Sequence, residues 1–387
     1  MAWIPDRASF DDEQNRIFDQ IVDDKERSWW IKGYAGTGKT MLLVHLANEY
    51  LKLKAGFECA YVTYTHALKN LVSDALADLG SGRRLPIFTV DSLNSLGKSY
   101  DILFVDEVQD LPQKKIEKLL SKSRRFIFAG DLNQSIFLNS AKPEKIKKLL
   151  GNPRVVELRD IYRLPEAISF ASHLVYEEAD SAENALVDVV EDSSVNIVQA
   201  RSTTAEVLWV YEQALKESRP IKPGGIPNAA ILFSKHEELQ KFISILCAAK
   251  GLGAPPPVVA TVTGGGHDYK SVNAFLKRNG VSLMFFGGTG GGQVNTATRS
   301  RLVLAMTLHS AKGLEFDTVF LPFMDRERLP CPYPPLKNKE EWQRRFVYVA
   351  LTRTRLNFYA SYSRDMNKIL ERLEDESLGN YLNYIKV

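Results

Sequence analysis

Residues 33–40 read Gly-Tyr-Ala-Gly-Thr-Gly-Lys-Thr, a spacing of residue types that suits the binding of a chain of phosphates. Glycines leave the backbone N–H groups of such a loop free to wrap around a phosphate. The lysine then reaches the β- and γ-phosphate oxygens, and the last hydroxyl is a ligand for Mg²⁺. The pattern therefore predicts a nucleoside triphosphate site whose loop residues are Gly33, Gly36, Thr37, Gly38, Lys39 and Thr40.

An acidic pair, Asp106 and Glu107, follows the apolar run 102–105. Such a run predicts a buried strand, and ligands of α/β proteins bind at the carboxyl ends of their strands. At that position Asp106 is placed to hold Mg²⁺, together with Thr40, and Glu107 to orient and deprotonate an attacking water. The pair therefore indicates hydrolysis of the bound nucleotide and not binding alone.

These candidate residues lie in a chain whose apolar runs alternate with helical spacing nearly throughout. The predicted strands are 29–32, 59–65, 86–90, 101–106, 126–130, 154–158, 195–199, 229–233, 257–261, 282–286, 301–307 and 317–323. Helices are predicted at 204–217, 236–250, 270–278, 340–353 and 365–373, besides those that separate the strands of the first half. This alternation predicts α/β layering around parallel sheets. We expect an N-terminal domain over 1–160, a helical and acidic bridge over 161–194 and a C-terminal α/β domain over 195–387.

The composition of the 387 residues is ordinary, with 44% hydrophobic and 25% charged residues and a net charge of +3. This excludes a disordered chain and permits nucleic-acid binding without arguing for it. The cysteines Cys59, Cys247 and Cys331 show neither zinc spacing nor a disulfide framework, which fits a reducing compartment. The N-terminal residues do not resemble a signal peptide, and no apolar segment reaches the length of a membrane span. We therefore expect a cytoplasmic protein without a membrane partner.

Ordered motifs along the chain carry a resemblance to a known family. They are 10–14, 33–40, 62–67, 88–93, 106–110, 129–137, 158–163, 307–317 and 347–355. In this order the motifs resemble those of superfamily 1 helicases of the UvrD/Rep group. The resemblance implies two RecA-like parallel-sheet domains in tandem, with the ATP site in the cleft between them and ATP and Mg²⁺ as cofactors.

The same resemblance assigns further residues to the ATP site. Gln14 is expected to read the adenine edge, Tyr162 to stack on its face, and Gln134 to sense the γ-phosphate. Arg163 and Arg353 are expected to reach that phosphate from the other domain. Gly313 and Glu315 join the nucleotide-binding set, with Glu315 similar to the residue that holds the ribose. The implied catalytic set is Lys39, Asp106, Glu107, Gln134, Arg163 and Arg353.

Side chains that could contact a nucleic-acid strand are Thr63, Tyr64, His66, Thr89, Ser92 and His309. Tyr64 and His66 follow a predicted strand, where an aromatic ring can stack on a base. The hydroxyl groups and His309 could bond phosphates, although each hydroxyl could equally cap a helix or a turn. The basic run 114–125 is interpreted as the solvated face of a helix.

The chain also departs from the family pattern. Asn139 stands where the family places a stacking aromatic residue, which argues against base-by-base ratcheting, and the large insertion domains are reduced to a minimal core. The resemblance implies an ATP-dependent translocase or helicase on single-stranded nucleic acid. DNA and 3′-to-5′ polarity are expected, the latter from Gln-Ser-Ile at 134–136. Two alternatives remain open: a motor or switch subunit that works with a protein partner in a repair, phage-defence or toxin-like assembly, and a nucleotide-gated clamp on RNA or DNA.

Overall fold

A computed structural model of the 387-residue chain divides into two compact units, Met1–Tyr162 and Arg163–Val387. Each unit contains one parallel sheet with helices packed on it. The structure describes residues 5–34, 36–53, 57–80, 85–90, 92, 98–130, 143–159, 164–176, 193–220, 227–260, 267–287, 301–326 and 339–387.

The first unit is built on a six-stranded sheet. Its strands are β1 (Trp29–Gly33), β2 (Cys59–Thr63), β3 (Ile87–Thr89), β4 (Tyr100–Val105), β5 (Ser123–Gly130) and β6 (Arg154–Leu158). Its helices are α1 (Asp12–Asp23), α2 (Lys39–Leu53), α3 (His66–Asp78), α4 (Gln113–Leu120) and α5 (Pro143–Leu149). The strand order is β3-β2-β4-β5-β1-β6, and all pairs are parallel.

Both faces of this sheet are buried, which explains the near-continuous apolar runs of its strands. Successive side chains of a strand point to opposite faces, so neighbouring residues belong to different cores. Trp29 packs into one hydrophobic cluster with Phe104, whereas Trp30 packs into the other with Val105. β1 and β4 are therefore interior strands of the sheet, and their carboxyl ends lie at the same edge.

The second unit contains a seven-stranded parallel sheet in the order β11-β12-β8-β13-β14-β7-β15. Its strands are β7 (Ser194–Gln199), β8 (Ala229–Phe233), β11 (Leu283–Phe285), β12 (Val303–Thr307), β13 (Phe316–Leu321), β14 (Thr354–Tyr362) and β15 (Leu382–Lys386). A separate antiparallel pair consists of β9 (Val259–Ala260) and β10 (His267–Asp268). The helices are α6 (Glu166–Val175), α7 (Thr203–Glu217), α8 (His236–Ala249), α9 (Lys270–Arg278), α10 (Leu308–Ala311), α11 (Lys339–Leu351) and α12 (Lys368–Glu371).

The structure confirms the predicted fold class, because both halves are parallel α/β units of the RecA-like kind. Of the strand predicted over 257–261, the described residues contain the strand Val259–Ala260, which pairs outside the large sheet. Strands β14 and β15 have no counterpart among the predicted elements. The region 161–194 contributes α6, which packs against α11 and β7 of the second unit. Among the described residues, no helix combines the length and apolarity needed to cross a bilayer.

Candidate active site

The phosphate loop leaves β1 at Gly33 and enters α2 at Lys39. Gly33, Gly36 and Gly38 have φ values of 155°, 79° and 83°, a region that favours glycine. A Cβ atom added at Gly38 would lie 2.9 Å from Nε2 of Gln14, and one at Gly33 would lie 2.6 Å from Oγ1 of Thr37. Side chains are therefore excluded from the inside of the loop, as an anion-binding backbone requires.

Hydrogen bonds within the loop hold its polar side chains close to the backbone. Thr37 donates from Oγ1 to the carbonyl oxygen of Tyr34 at 3.0 Å. Lys39 donates from Nζ to the same carbonyl oxygen. The ammonium group of Lys39 is thus held at the loop, at the N-terminus of a 15-residue helix whose dipole favours an anion.

Gln14 lies against the phosphate loop because helix α1 begins with a capping box. Its backbone N–H donates to Oδ1 of Asp11 at 2.8 Å, and its Oε1 accepts from the Asp11 N–H at 3.4 Å. From this fixed position its Nε2 donates to the carbonyl oxygen of Thr37 at 3.4 Å. Adenine recognition by Gln14 stays a prediction, but the structure brings its amide to the loop.

Asp106 lies directly after the carboxyl end of β4, where its side chain is buried. Its Oδ2 accepts from the Tyr61 hydroxyl at 3.1 Å, its Oδ1 accepts from the Glu107 N–H at 2.9 Å, and it is hydrogen-bonded to Thr40. Burial, and then the charge of Glu107, raise the pKa of the Asp106 carboxyl above its ordinary value. A cation at this position would stabilise the ionised carboxylate.

The chemistry of these donors fits the predicted magnesium ion. Mg²⁺ prefers oxygen ligands and is often held by one or two carboxylates together with substrate phosphates. Thr40 and Asp106 supply a hydroxyl and a carboxylate that are hydrogen-bonded to each other. Within the described ranges there is no group of three or more His, Cys, Asp or Glu arranged as a metal cage. A single hydroxyl and a single carboxylate suit a metal ion that is bound together with phosphates.

Glu107 adopts a left-handed backbone conformation, with φ 54° and ψ 43°, immediately before a 3₁₀ turn over Val108–Asp110. Such a conformation is uncommon for a residue with a side chain and is typical of functional sites. The Oε2 of Glu107 accepts a hydrogen bond from Nε2 of Gln109. Glu107 and Asp106 are therefore presented side by side at the strand end, as the sequence predicted.

In the second unit the structure brings together Arg353 and the turn that contains Gly313 and Glu315. Arg353 is buried and donates from Nη1 to the carbonyl oxygen of Leu314 at 3.3 Å and from Nη2 to Oγ1 of Thr352 at 3.2 Å. Gly313 has φ 82°, so the turn needs the freedom of glycine. The roles expected for these residues at the nucleotide stay predictions.

Comparisons with known proteins agree with this geometry. A family model described as the UvrD-like helicase C-terminal domain matches residues 292–365, and one described as an AAA domain matches residues 9–199. DNA helicase II of Rickettsia typhi is 30% identical over 122 residues, which are 31% of this chain and 16% of that protein. The ATP-dependent DNA helicase Rep of Buchnera aphidicola is 40% identical over 70 residues, 18% of this chain and 10% of that protein. These matches support the resemblance of the chain to UvrD/Rep-type superfamily 1 helicases, although the aligned parts span only 16% and 10% of these two relatives.

Two solved helicase structures are similar over nearly the whole chain. A structure of two Pif1 helicases at forked double-stranded DNA covers 95% of each chain at 15% identity, with a TM-score of 0.47. The arterivirus nonstructural protein 10 helicase covers 92% of this chain and 64% of that protein at 15% identity, with a TM-score of 0.44.

The residues predicted to contact nucleic acid lie in different surroundings. Thr63 ends β2 and is fully buried, and its Oγ1 has no hydrogen-bond partner in the part of the chain that the structure describes. Thr89 and Ser92 bond each other, with 3.1 Å between their hydroxyl oxygens and a Thr89 N–H donation to Ser92 Oγ at 2.9 Å. These two hydroxyls therefore stabilise a turn, and their contact with phosphates stays a prediction.

Tyr64, His66 and His309 occupy the starts of helices or the turns before them. Tyr64 is half-buried between β2 and α3, and His66 is the first residue of α3. His309 lies in the first turn of α10, which Thr307 caps by accepting from the Ser310 N–H at 3.3 Å. Their stacking or phosphate contacts stay predictions.

Four of the family positions singled out from the sequence, Gln134, Asn139, Tyr162 and Arg163, lie outside the described residues. Sequence reasoning missed three residues that support the acidic pair: Tyr61, Gln109 and Gly130. A Cβ atom added at Gly130, the last residue of β5, would overlap Oε1 of Gln109 and come within 3.0 Å of Val108 Cγ1. The signal for Gln109 was its place in the motif 106–110, whereas nothing in the sequence marks Tyr61.

Proposed function

We propose that this chain is an ATP-dependent translocase and helicase that moves 3′-to-5′ on single-stranded DNA and hydrolyses ATP faster when a strand is bound. One observation carries the ATPase proposal. Thr40 of the phosphate loop is hydrogen-bonded to Asp106, and Glu107 follows Asp106 in a left-handed conformation. The arrangement supports hydrolysis because the phosphate-binding, metal-holding and water-activating groups meet at one sheet edge. The preference for DNA is supported by the relatives, which are DNA helicases, and the polarity by the sequence resemblance at 134–136.

In the proposed mechanism the loop backbone and Lys39 hold the β- and γ-phosphates of ATP. Thr40 and Asp106 hold Mg²⁺, which supplies charge neutralisation on the phosphate oxygens when bound. Glu107 accepts the proton of the attacking water, and Gln109 keeps its carboxylate in place. Gln14 and Tyr162 bind the adenine, and Gly313 and Glu315 bind the ribose side of the nucleotide.

Charge on the γ-phosphate is proposed to be sensed by Gln134 and stabilised by Arg163 and Arg353. A preorganised arginine at a phosphoryl group that is being transferred is worth about 10³–10⁵ in rate. Since Arg163 and Arg353 belong to the second unit, hydrolysis would report the closure of the two units around ATP. This coupling is what a motor on a strand requires.

Strand binding is proposed to rest on phosphate contacts by Thr63, Thr89, Ser92 and His309 and on stacking at Tyr64 and His66. Because Asn139 offers no aromatic face, a stacking contribution of about 1–3 kcal/mol is absent at that position. We therefore propose strong stimulation of the ATPase by single strands and weak, short-range unwinding by the chain alone. A protein partner would supply further unwinding or regulation. We further propose a reducing compartment such as the cytoplasm, because the spacing of the cysteines in the sequence shows no disulfide framework.

ATP turnover of the purified chain with single-stranded DNA, single-stranded RNA or no strand tests the proposal. Stimulation by DNA above RNA is expected, together with unwinding of duplexes that carry a 3′ tail but not a 5′ tail. Equal stimulation by both strands without tail-dependent unwinding would favour a nucleotide-gated clamp. ATP turnover that is stimulated by neither single-stranded DNA nor single-stranded RNA would contradict the proposed function. Processive opening of long duplexes by the chain alone would contradict the need for a partner.

A further inference from the structure

We propose that a basic cleft at the amino-terminal edge of the first sheet binds the phosphate backbone of a nucleic-acid strand. The cleft has a volume of about 720 Å³ and is bordered by the starts of the neighbouring strands β5, β1 and β6. It lies at the sheet edge opposite to the phosphate loop and the acidic pair, which occupy carboxyl ends of parallel strands. The inference is therefore separate from the ATP site and rests on the proposed function only in assuming a nucleic-acid ligand.

Three exposed arginines, Arg27, Arg124 and Arg154, line this cleft. Among the residues that the structure describes, the cleft lining includes no Asp or Glu. Over the described part of the chain none of the three forms an ion pair. Asp24 accepts a hydrogen bond from the backbone N–H of Arg27 at 3.1 Å and offsets part of its charge. The three guanidinium groups together still give a local positive potential that the small net charge of the chain hides. The remainder of the lining includes the apolar side chains of Phe126 and Leu149.

The surrounding structure orients these arginines. The guanidinium of Arg154 lies 4.7 Å from the centre of the Trp29 ring, a cation–π contact that limits its rotation. Arg125 is buried and donates from Nε to the carbonyl oxygen of Arg27 at 2.9 Å, and from Nη2 to that of Ile21 at 3.2 Å. Arg125 therefore fixes the backbone that carries Arg27. The basic run 114–125 is thus not a single solvated helix face, since Arg125 is structural and Arg124 faces the cleft.

The spacing of the arginines suits the backbone of a nucleic-acid strand better than a single phosphate group. Neighbouring strands of a sheet lie about 4.8 Å apart, so charges at the starts of three strands are spread over about 10 Å. Guanidinium groups pair with phosphate oxygens in a bidentate manner. Acidic residues Asp23, Asp24 and Glu26 line only an adjoining cleft of about 560 Å³, which shares Arg27 and Arg154. A bound backbone would therefore lie toward Arg124, away from these carboxylates.

The test measures the affinity of the full chain for a fluorescently labelled oligothymidylate over a series of salt concentrations. Each phosphate contact on a single strand contributes about 0.7 to the slope of log affinity against log salt. The variant Arg27→Ala/Arg124→Ala/Arg154→Ala should therefore bind more weakly, with a slope shallower by about 2. A control with the same loss of charge is Arg16→Ala/Lys52→Ala/Lys114→Ala, three exposed residues of the first unit outside this cleft. The control should keep the wild-type slope, and both variants should keep the basal ATPase rate.

Equal slopes for the cleft variant and the control would overturn the inference while leaving the proposed function intact. A wild-type chain that binds no oligothymidylate would overturn both. Inorganic tripolyphosphate is the probe for a small-anion site. If it competes with the oligothymidylate at equal phosphate concentration, and the cleft variant abolishes that competition, the cleft binds short polyphosphates and the strand proposal is wrong.

Discussion

Gln109 donates a hydrogen bond from its Nε2 to the Oε2 of Glu107 across one residue of a 3₁₀ turn. Both side chains are buried, so this bond has no water to replace it. The same Gln109 side chain fills the space beside Gly130, where even a Cβ atom would overlap its Oε1. The position of the proposed general base therefore depends on the end of β5, the strand that leads toward the predicted γ-phosphate sensor Gln134.

Gln109→Ala should lower the turnover rate of ATP by about tenfold or more while changing ATP affinity little. The reason is that Glu107 loses its donor and its fixed orientation, and general-base catalysis contributes about 10²–10⁴-fold when the base is positioned. Gly130→Ala should act in the same direction because the new methyl group displaces Gln109. Single-turnover hydrolysis and nucleotide titration measure the two quantities separately. Gln113→Ala, at an exposed amide bonded to Glu117 on α4, is the control and should keep the wild-type rate.

Glu107→Gln should leave the binding of ATP with Mg²⁺ nearly intact and slow hydrolysis by about 10²–10⁴-fold. Only the ability to accept a proton is lost, because the amide keeps an oxygen that can accept from Gln109. Binding of a fluorescent ATP analogue measures the affinity, and the release of phosphate measures the rate of hydrolysis. Wild-type turnover in this variant would remove Glu107 from the mechanism.

Lys39→Ala should weaken both ATP binding and turnover, in contrast to Gln109→Ala and Glu107→Gln. Lys39 is the charged group held at the phosphate loop, where it donates to the Tyr34 carbonyl oxygen. Its positive charge is expected to contact the triphosphate in the ground state and during transfer, so its loss affects both constants. Isothermal titration with ATP would reveal a wild-type affinity if this interpretation is wrong.

Much of the fold could be predicted from the sequence because buried parallel strands are short apolar runs bounded by polar turns. β14 was missed for a physical reason: Thr354–Tyr362 follows α11 after only two residues, without a glycine or proline to mark the change. Its apolar residues are interrupted by Arg355 and Asn357 at its beginning, where its burial is incomplete. The edge strand β15 is largely exposed and therefore lacks an apolar run altogether.

Residues of the candidate site could be predicted where the chemistry of the ligand calls for a particular residue type. They could not be predicted where only the packing of the fold brings a residue to the site. The glycines, Lys39 and Asp106–Glu107 must have these identities to bind phosphate, metal and water. Tyr61 was not predictable, because it is one of several apolar residues in β2 until the fold places its hydroxyl 3.1 Å from Asp106. Contacts between residues far apart in sequence become visible only once the strand order is known.

Arg353→Ala should reduce ATP turnover more than ATP affinity if this arginine acts on the transferring phosphate. The structure adds a structural role, because Arg353 is buried and bonded to the Leu314 carbonyl oxygen next to Gly313. Arg353→Lys separates the two contributions, since lysine keeps a charge but cannot reproduce the forked bonds. Thermal unfolding of both variants measures the structural part. Unchanged turnover in a folded Arg353→Ala chain would contradict the proposed catalytic role.

Acidification should destabilise the second unit through His236, the first residue of α8. Its ring stacks on that of His267 with 3.5 Å between centroids, and its Nδ1 is 3.0 Å from the Tyr269 hydroxyl oxygen. Burial, followed by the charges of His267 and His309 and opposed by Glu237, lowers the pKa of His236 from 6.5 to about 4. Between these two pH values His236 is therefore mostly neutral in the folded chain and mostly protonated in the unfolded chain.

The direction in which the free energy of unfolding changes with pH follows from this difference in proton uptake. Between pH 6.5 and about 4 the unfolded state binds more protons at His236, so the free energy of unfolding falls as the pH is lowered through that window and is independent of this group above it. His45 in the first unit shifts in the same direction, also by burial, so the wild-type curve alone does not isolate His236. His236→Gln should flatten the pH dependence of the unfolding midpoint between pH 7 and 4.5. If His236→Gln loses stability on acidification as steeply as the wild type, the stacked pair does not set the acid sensitivity of this unit.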